Sequence, residues 1–336
     1  GAVKIALLSF SAQGQALAGY LAEKLGGTAQ RCGGAVSLSG WAEKAFTAYD
    51  ALVFVGAVGI AVRAIAPFVQ NKSTDPAVVA VDEAGRFAVP LLSGHLGGAN
   101  DLARRIGRLC GAVSVITTAT DVNGVFAVDE WARRQGCAVV NQDAIKTVSG
   151  RLLAGELVRV RCPWPIAGAA PAGVELIGQK EAQVCVAVRG SAEADALRLA
   201  PRIVALGIGC RKNTPHAALE DAFAQLVRRS GVWEQAIFGA ASIDVKENEP
   251  GLLAFCAAHG WPCRFYSAAA LGAVEGTFTA SAFVARTVGV DNVCERSAVL
   301  RSGGTLLHRK ETIGGVTMAL AAAPWAPDWR WQYDGT

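Results

Sequence analysis

Methionine and histidine are scarce in this 336-residue chain: Met318 is the only methionine, and the histidines are His95, His216, His259 and His308. The last three show no metal-ligand spacing with one another or with cysteine, so no protein-built metal site is expected. None of the nine cysteines forms a CxxC pair, and their number is odd. This excludes a zinc ribbon and argues against a disulfide framework, pointing to reduced thiols and a cytoplasmic protein. The dinucleotide fingerprint GxGxxG and the phosphate loop GxxxxGK[ST] are both missing, which removes the sequence support for NAD and ATP. No signal-peptide pattern, internal repeat or membrane-length apolar run is present. Lys and Arg are scattered and the net charge is only +4, so neither nucleic acid nor a membrane is an expected partner.

What is there describes a globular α/β chain. Hydrophobic residues make up 52% and charged residues 18%, and the length exceeds the usual size of one core. "VKIALLSF" and "ALVFVG" read as buried strands, each followed by a helical pattern. "PAVVAVDEAGRFAVPLL" reads as a hairpin about Glu83, Ala84 and Gly85, and "GGANDLARRIGRLCG" as a helix closed by Gly111. The alternation predicts a layered α/β/α domain over residues 1–140. Residues 141–200 read as a smaller middle domain ending in a polar linker around "SAEADALRLAPR". "IVALGIGC" restarts the strand, loop and helix pattern, which predicts a second layered α/β/α domain over 201–324. Residues 325–336 form an aromatic tail without periodicity.

Four glycine-bearing loops follow apolar strands: Ser11 to Gly14, Ser93 to Gly98, Thr117 to Gly124, and Gly207 to Lys212. Loop amides at helix N-termini attract anions, so the four together suggest an anionic ligand. His95 lies in such a loop, where an imidazole can move a proton near neutral pH. It could instead bind a ligand carboxylate or fix the turn. Asp82 and Glu83 sit at the hairpin tip, where charges are ordinarily just solvated. "SIDVKENEPGLLAF" places Lys246 and Glu249 where a strand gives way to a helix, a position that suits capping and ligand contact equally. In "VGVDNVCERSA", Asp291 and Asn292 are placed to cap the helix that carries Cys294, Glu295 and Arg296.

Taken together, "GIAVRAIAP", "KSTDPAVVAVDEAGRFAVPLLSGHLGGAN", "ITTATDVNG" and "VDEWA" resemble the amino-terminal signature of the CbiG family, the cobalt-precorrin-5A hydrolases of anaerobic cobalamin biosynthesis. "GIGCRKNTP", "SIDVKENEPGLLAF", "GWPCRFYSA" and "VGVDNVCERSA" resemble its carboxy-terminal domain, which is also similar to the stand-alone CobE proteins. The resemblance spans roughly residues 3 to 322, loosely in the middle domain, and excludes the tail. It implies a reaction that opens the δ-lactone between the ring A acetate and the former bridging carbon of a ring-contracted cobalt corrinoid. That carbon then leaves with its methyl group as acetaldehyde.

Such chemistry needs an activated water and a site for a developing oxyanion. The macrocycle itself accepts the electrons, so no cofactor is expected and cobalt arrives with the substrate. His95 is the expected base, polarised by Glu83, with Asp121, Glu249 and Asp291 in reserve. The corrinoid carboxylates are expected to meet Arg63, Lys72, Ser93, Gly94, Gly97, Gly98, Asn100, Thr117 and Thr118 in the first α/β domain. In the second they are expected to meet Gly209, Arg211, Lys212, Lys246, Glu249, Asp291 and Arg296, across a cleft. Neighbouring pathway enzymes are candidate partners. The competing readings are a non-catalytic corrinoid carrier or chaperone and, less well supported, a nucleotide-responsive regulator.

Overall fold

The computed structural model describes residues 3–71, 74–178, 181–190, 195–279 and 292–331. The chain divides into two compact units, one built from residues 1–134, 145–156 and 330–336, the other from 135–144 and 157–329. Among the described residues, no helix is long and apolar enough to cross a membrane.

The first unit holds a six-stranded sheet of β1 (Ile5–Ser9), β2 (Thr28–Arg31), β3 (Ala51–Val55), β4 (Ala77–Val81), β5 (Phe87–Leu92) and β6 (Val113–Ser114), in the order β2-β1-β3-β4-β5-β6. The helices are α1 (Ala12–Leu25), α2 (Leu38–Ala48), α3 (Val58–Ile65), α4 (Ala99–Cys110), α5 (Ala119–Val122) and α6 (Val128–Arg134). Every residue of β1, β3 and β4 is buried, as expected for strands covered on both faces. Alternation then assigns the faces. Leu7, Val53 and Val79 pack with Leu21 of α1 and Ile106 of α4, whereas Leu8, Phe54 and Val78 pack with Phe46 of α2 and Ile65 of α3. The result is three layers.

One reversal in this sheet positions the site. β1, β3 and β4 run parallel, but β5 returns antiparallel to β4, with Val81 opposite Ala88 and Val78 opposite Leu92. β6 follows the direction of β5. The loops leaving β5 and β6 therefore emerge at the edge where β4 begins. Ser11 and Glu83 lie at the opposite edge, about 17 Å away at strand geometry.

Beyond α7 (Ala144–Leu153), the second unit contains two five-stranded sheets. The first is built from β7 (Cys137–Val139), β8 (Val158–Arg161), β9 (Val174–Ile177), β10 (Val184–Val186) and β11 (Leu197–Pro201), in the order β7-β11-β10-β8-β9. The linker expected here is corrected: Leu197–Pro201 is an inner strand, with Leu197 and Leu199 fully buried. Trp325 of the expected tail stacks edge-on against Trp164 at 5.1 Å and donates its indole N–H to the Gln135 carbonyl.

The second sheet is built from β12 (Val204–Gly209), β13 (Ile237–Ile243), β14 (Cys263–Tyr266), β15 (Thr305–Ile313) and β16 (Val316–Ala322), in the order β14-β13-β12-β16-β15. α8 (His216–Ser230) and α9 (Pro250–Ala258) share a core with one face, to which Val188 and Ala200 also contribute. α10 (Ala268–Gly272) and α11 (Val293–Ser302) cover the other. The helix "SAFVARTVG" read from the sequence lies outside the described residues.

Gly207 shows how tightly α11 sits on β12. A Cβ there would fall 1.8 Å from the Cys294 carbonyl oxygen and 2.8 Å from the Ala298 nitrogen. Gly207→Ala must push the helix off its strand, and overpacking of this kind costs about 2–3 kcal/mol. Urea unfolding checks this. A midpoint equal to that of the parent would mean the two elements are not so closely seated.

Candidate active site

The turn from β5 into α4 is built from residues that tolerate unusual backbone. Ser93 adopts φ +56° and donates its hydroxyl to the Asp75 carbonyl at 2.9 Å. A Cβ on Gly97 would lie 2.3 Å from the Ser93 Cβ, and Gly98 takes φ +84°, so glycine is required at the first and favoured at the second. The loop closes on itself through Gly98 N to His95 O, Ala99 N to Ser93 O, and Asn100 N to Gly94 O. Among the described residues, the amides of Gly94, His95, Leu96 and Gly97 have no acceptor. They are free to face an anion.

His95 stands between two carboxylates. Its Nε2 is 2.8 Å from Asp121 Oδ2 and its Nδ1 is 3.2 Å from Asp129 Oδ2. All three side chains are nearly enclosed, with 14%, 14% and 9% exposure for His95, Asp121 and Asp129. Ionised carboxylates only accept hydrogen bonds, so both ring nitrogens donate and the ring is an imidazolium. Burial alone would push the His95 pKa down, but the hydrogen bonds and charges of Asp121 and Asp129 outweigh it and hold it up at about 10. An imidazolium gives a proton before it can take one.

Asp121 is the hub. Besides His95, it accepts from Arg104 Nη2 at 2.6 Å, Thr118 Oγ1 at 2.6 Å and Asn100 Nδ2 at 3.2 Å. Burial would raise its pKa, but these donors overcome that and hold the carboxyl well below the usual range. Asn100 and Arg104 lie one turn apart on α4 and therefore share the face towards Asp121. Behind them, Asp101 and Glu130 are paired with Arg133 and Arg134. Burial, reinforced by the Asp101 charge, pushes the Glu130 carboxyl up against the pull of those arginines.

The expected residues fall into distinct groups. His95, Asn100, Thr118 and Asp121 touch one another, and Ser93, Gly94, Gly97 and Gly98 shape the loop that presents them. Glu83 is corrected as the partner of His95: it lies across the sheet and accepts a hydrogen bond from Ser11 Oγ, because the hairpin turns the chain back. Arg63 is exposed on α3 and donates to the Gly59 carbonyl at 3.2 Å, and Thr117 is exposed. Lys72 and Asp291 lie outside the described residues.

In the second unit, Arg211 and Lys212 are exposed after β12. Lys246 pairs with Glu249 at 3.1 Å, and Glu249 also accepts the Asn213 amide, so this carboxylate ties down a loop and is corrected as a reserve base. Gly209 makes room for the Thr317 hydroxyl. Arg296 is corrected as a ligand contact: its guanidinium donates to the carbonyls of Leu271, Gly272 and Val274 and lies 4.5 Å from the Phe278 ring. Its charge serves the end of α10. Among the described residues, no group of three or more His, Cys, Asp or Glu is arranged to hold a metal.

Asp129 and Arg104 are members of the cluster that the sequence reading misses. Arg104 is signalled by its one-turn spacing from Asn100. Asp129 has no local signal, since it meets His95 across 34 residues.

Family models described as Cobalamin synthesis G N-terminal, Cobalamin biosynthesis central region and Cobalamin synthesis G C-terminus match residues 40–121, 126–201 and 204–321. The Cobalt-precorrin-5A hydrolase of Salmonella typhimurium is 37% identical over 298 residues, covering 84% of each chain. That of Priestia megaterium is 29% identical, covering 83% of this chain and 80% of its own. A solved cobalamin biosynthesis protein G homolog from Sulfolobus solfataricus is 23% identical, covering 96% of this chain and 97% of its own with a TM-score of 0.43. With a relative this similar over most of both lengths, the chain belongs to the CbiG family of cobalt-precorrin-5A hydrolases.

Proposed function

We propose that this chain is a cobalt-precorrin-5A hydrolase that opens the substrate lactone at the His95 cluster and releases acetaldehyde. The observation that carries the assignment of the site is an imidazolium held between two carboxylates beside four amides without acceptors. Water adds to the lactone carbonyl, and the amides of Gly94 to Gly97 receive the oxyanion that develops. As the acyl–oxygen bond breaks, the His95 Nε2–H leaves its hydrogen bond to Asp121 and protonates the departing alkoxide, while the surplus proton of the water passes to solvent.

The ring is then neutral and beside a fresh hydroxyl group. It takes that hydroxyl's proton, the carbon–oxygen bond becomes a carbonyl, and the carbon–carbon bond breaks with its electron pair passing into the conjugated imines of the macrocycle. His95 is thus acid first and base second, and it ends as it began. No separate redox cofactor enters this scheme, and cobalt is carried by the substrate. In the first unit the exposed Arg63 is a candidate for meeting the substrate's acetate and propionate groups, and Lys72 and Thr117 extend that set.

Anaerobic incubation with cobalt-precorrin-5A, with acetaldehyde trapped as a hydrazone, tests the reading. One acetaldehyde per corrinoid is expected, with loss of the lactone carbonyl. Release no faster than in the protein-free blank, with the corrinoid still bound, would make the chain a carrier and overturn the assignment.

A further inference from the structure

We infer that Asp129 is a positioning residue, fixing the ring of His95 through its Nδ1–H, while the Nε2–H that rests on Asp121 is the proton the substrate draws on. The inference rests on the reading of His95 given above. His95 itself sits in a loop that closes through only a few backbone hydrogen bonds, so its ring orientation must come from elsewhere. Asp121 is a weak candidate for that task. It belongs to a four-residue helix and serves four donors.

Asp129 is different. It lies in the first turn of α6, where its other oxygen accepts the Glu130 amide at 3.1 Å. Around it in sequence, Phe126, Val128 and Trp131 are almost fully buried, and the Phe126 and Trp131 rings lie 5.9 Å apart. The carboxylate is therefore anchored to the core and transmits that rigidity to Nδ1. A second group that orients the imidazole and fixes its protonation is the general logic of acid–base pairs.

The groups facing His95 are few. α5 supplies Asp121 and, at 3.5 Å from Nε2, the Thr120 hydroxyl. α6 supplies Asp129. Arg104 and Asn100 on α4, with Thr118, act on the ring through Asp121. Loss of the Asp129 charge leaves one carboxylate instead of two beside the ring. An opposite charge at this range moves a titration by about one to three pH units.

The test compares Asp129→Asn and Asp129→Glu with the parent by ¹⁵N-edited NMR of the histidine rings and by the pH profile of acetaldehyde release. Four histidines make the spectrum assignable, with His95→Gln identifying the signal. In Asp129→Asn the His95 titration is expected to fall by about one pH unit or more. The alkaline limb of kcat should move with it, lowering turnover at pH 9 about twofold for a fall of one unit and about tenfold for a fall of two, with little change in KM, while Asp129→Glu restores both. Unshifted signals from the other three histidines certify the fold. A His95 titration that does not move in Asp129→Asn overturns the inference, whatever the activity. A titration that moves while turnover stays unchanged at every pH supports the hold on the ring and instead overturns the chemical role of His95.

Discussion

His95→Gln is expected, on the proposed function, to lower acetaldehyde formation by about 10²- to 10⁴-fold, the range for loss of a positioned general acid or base. The fold survives, because Asp121 keeps Arg104, Thr118 and Asn100 as donors and Asp129 keeps the Glu130 amide. The parent's pH dependence belongs to the same expectation. With the imidazolium held up to about 10, kcat/KM stays flat through neutrality and falls only on the strongly alkaline side. A histidine acting first as a base would give the opposite slope, with activity rising as the ring loses its proton. Parent-like turnover in His95→Gln sinks the role outright.

The same cluster sets how unit stability depends on pH. The pKa of His95 is raised on folding, so its contribution is full below 6.5 and is lost as pH rises towards about 10. That of Asp121 is lowered, so its contribution is present above 3.8 and is lost on acidification. Together they favour the first unit most between about pH 4 and 6.5. Thermal unfolding across pH is expected to show that plateau and to lose its alkaline slope in His95→Gln.

Much of this is legible in the sequence. Continuous apolar runs predict β1, β3 and β4, because strands covered on both faces need no alternation. Gly111 ends α4 as read, in the left-handed conformation that favours glycine. The loop glycines and His95, with Asn100, Thr118 and Asp121, stand out because their polar groups interrupt apolar elements. The hairpin is legible too, and it dictates that Glu83 and His95 leave opposite edges of the sheet, an outcome that nearness in sequence conceals. Leu197–Pro201 escapes notice because Arg198 and Pro201 disguise a strand whose other side chains are buried. Arg296 shows the limit of reading by charge. A cation near the start of a helix looks like an anion ligand, yet the carbonyls at the end of α10 use it up. Asp129 depends on tertiary placement alone.

Glu295→Ala is expected to destabilise the second unit by about 1–3 kcal/mol, the cost of leaving shielded donors without their acceptor. Glu295 is fully buried in the first turn of α11, where Asn292 caps its amide at 2.8 Å. Its carboxylate accepts the Thr279 amide at 2.7 Å, the Thr279 hydroxyl at 2.8 Å and the Lys310 amide at 2.7 Å. One side chain thus satisfies donors from a loop and from β15 while holding the helix that β12 admits only through Gly207. Alanine leaves a cavity and takes the acceptor from the partly buried Thr279 and Lys310 amides, each of which carries a desolvation penalty. Glu295→Gln keeps one acceptor oxygen but turns an NH₂ group towards a donor, so a smaller loss is expected. Urea unfolding followed by tryptophan fluorescence separates the two variants, and an alanine variant within about 0.5 kcal/mol of the parent would mean the network is not a support. The glutamate of "CERSA" is thus explained by anchoring, and its neighbour Arg296 by capping. That segment of the family resemblance records how the helix is held down.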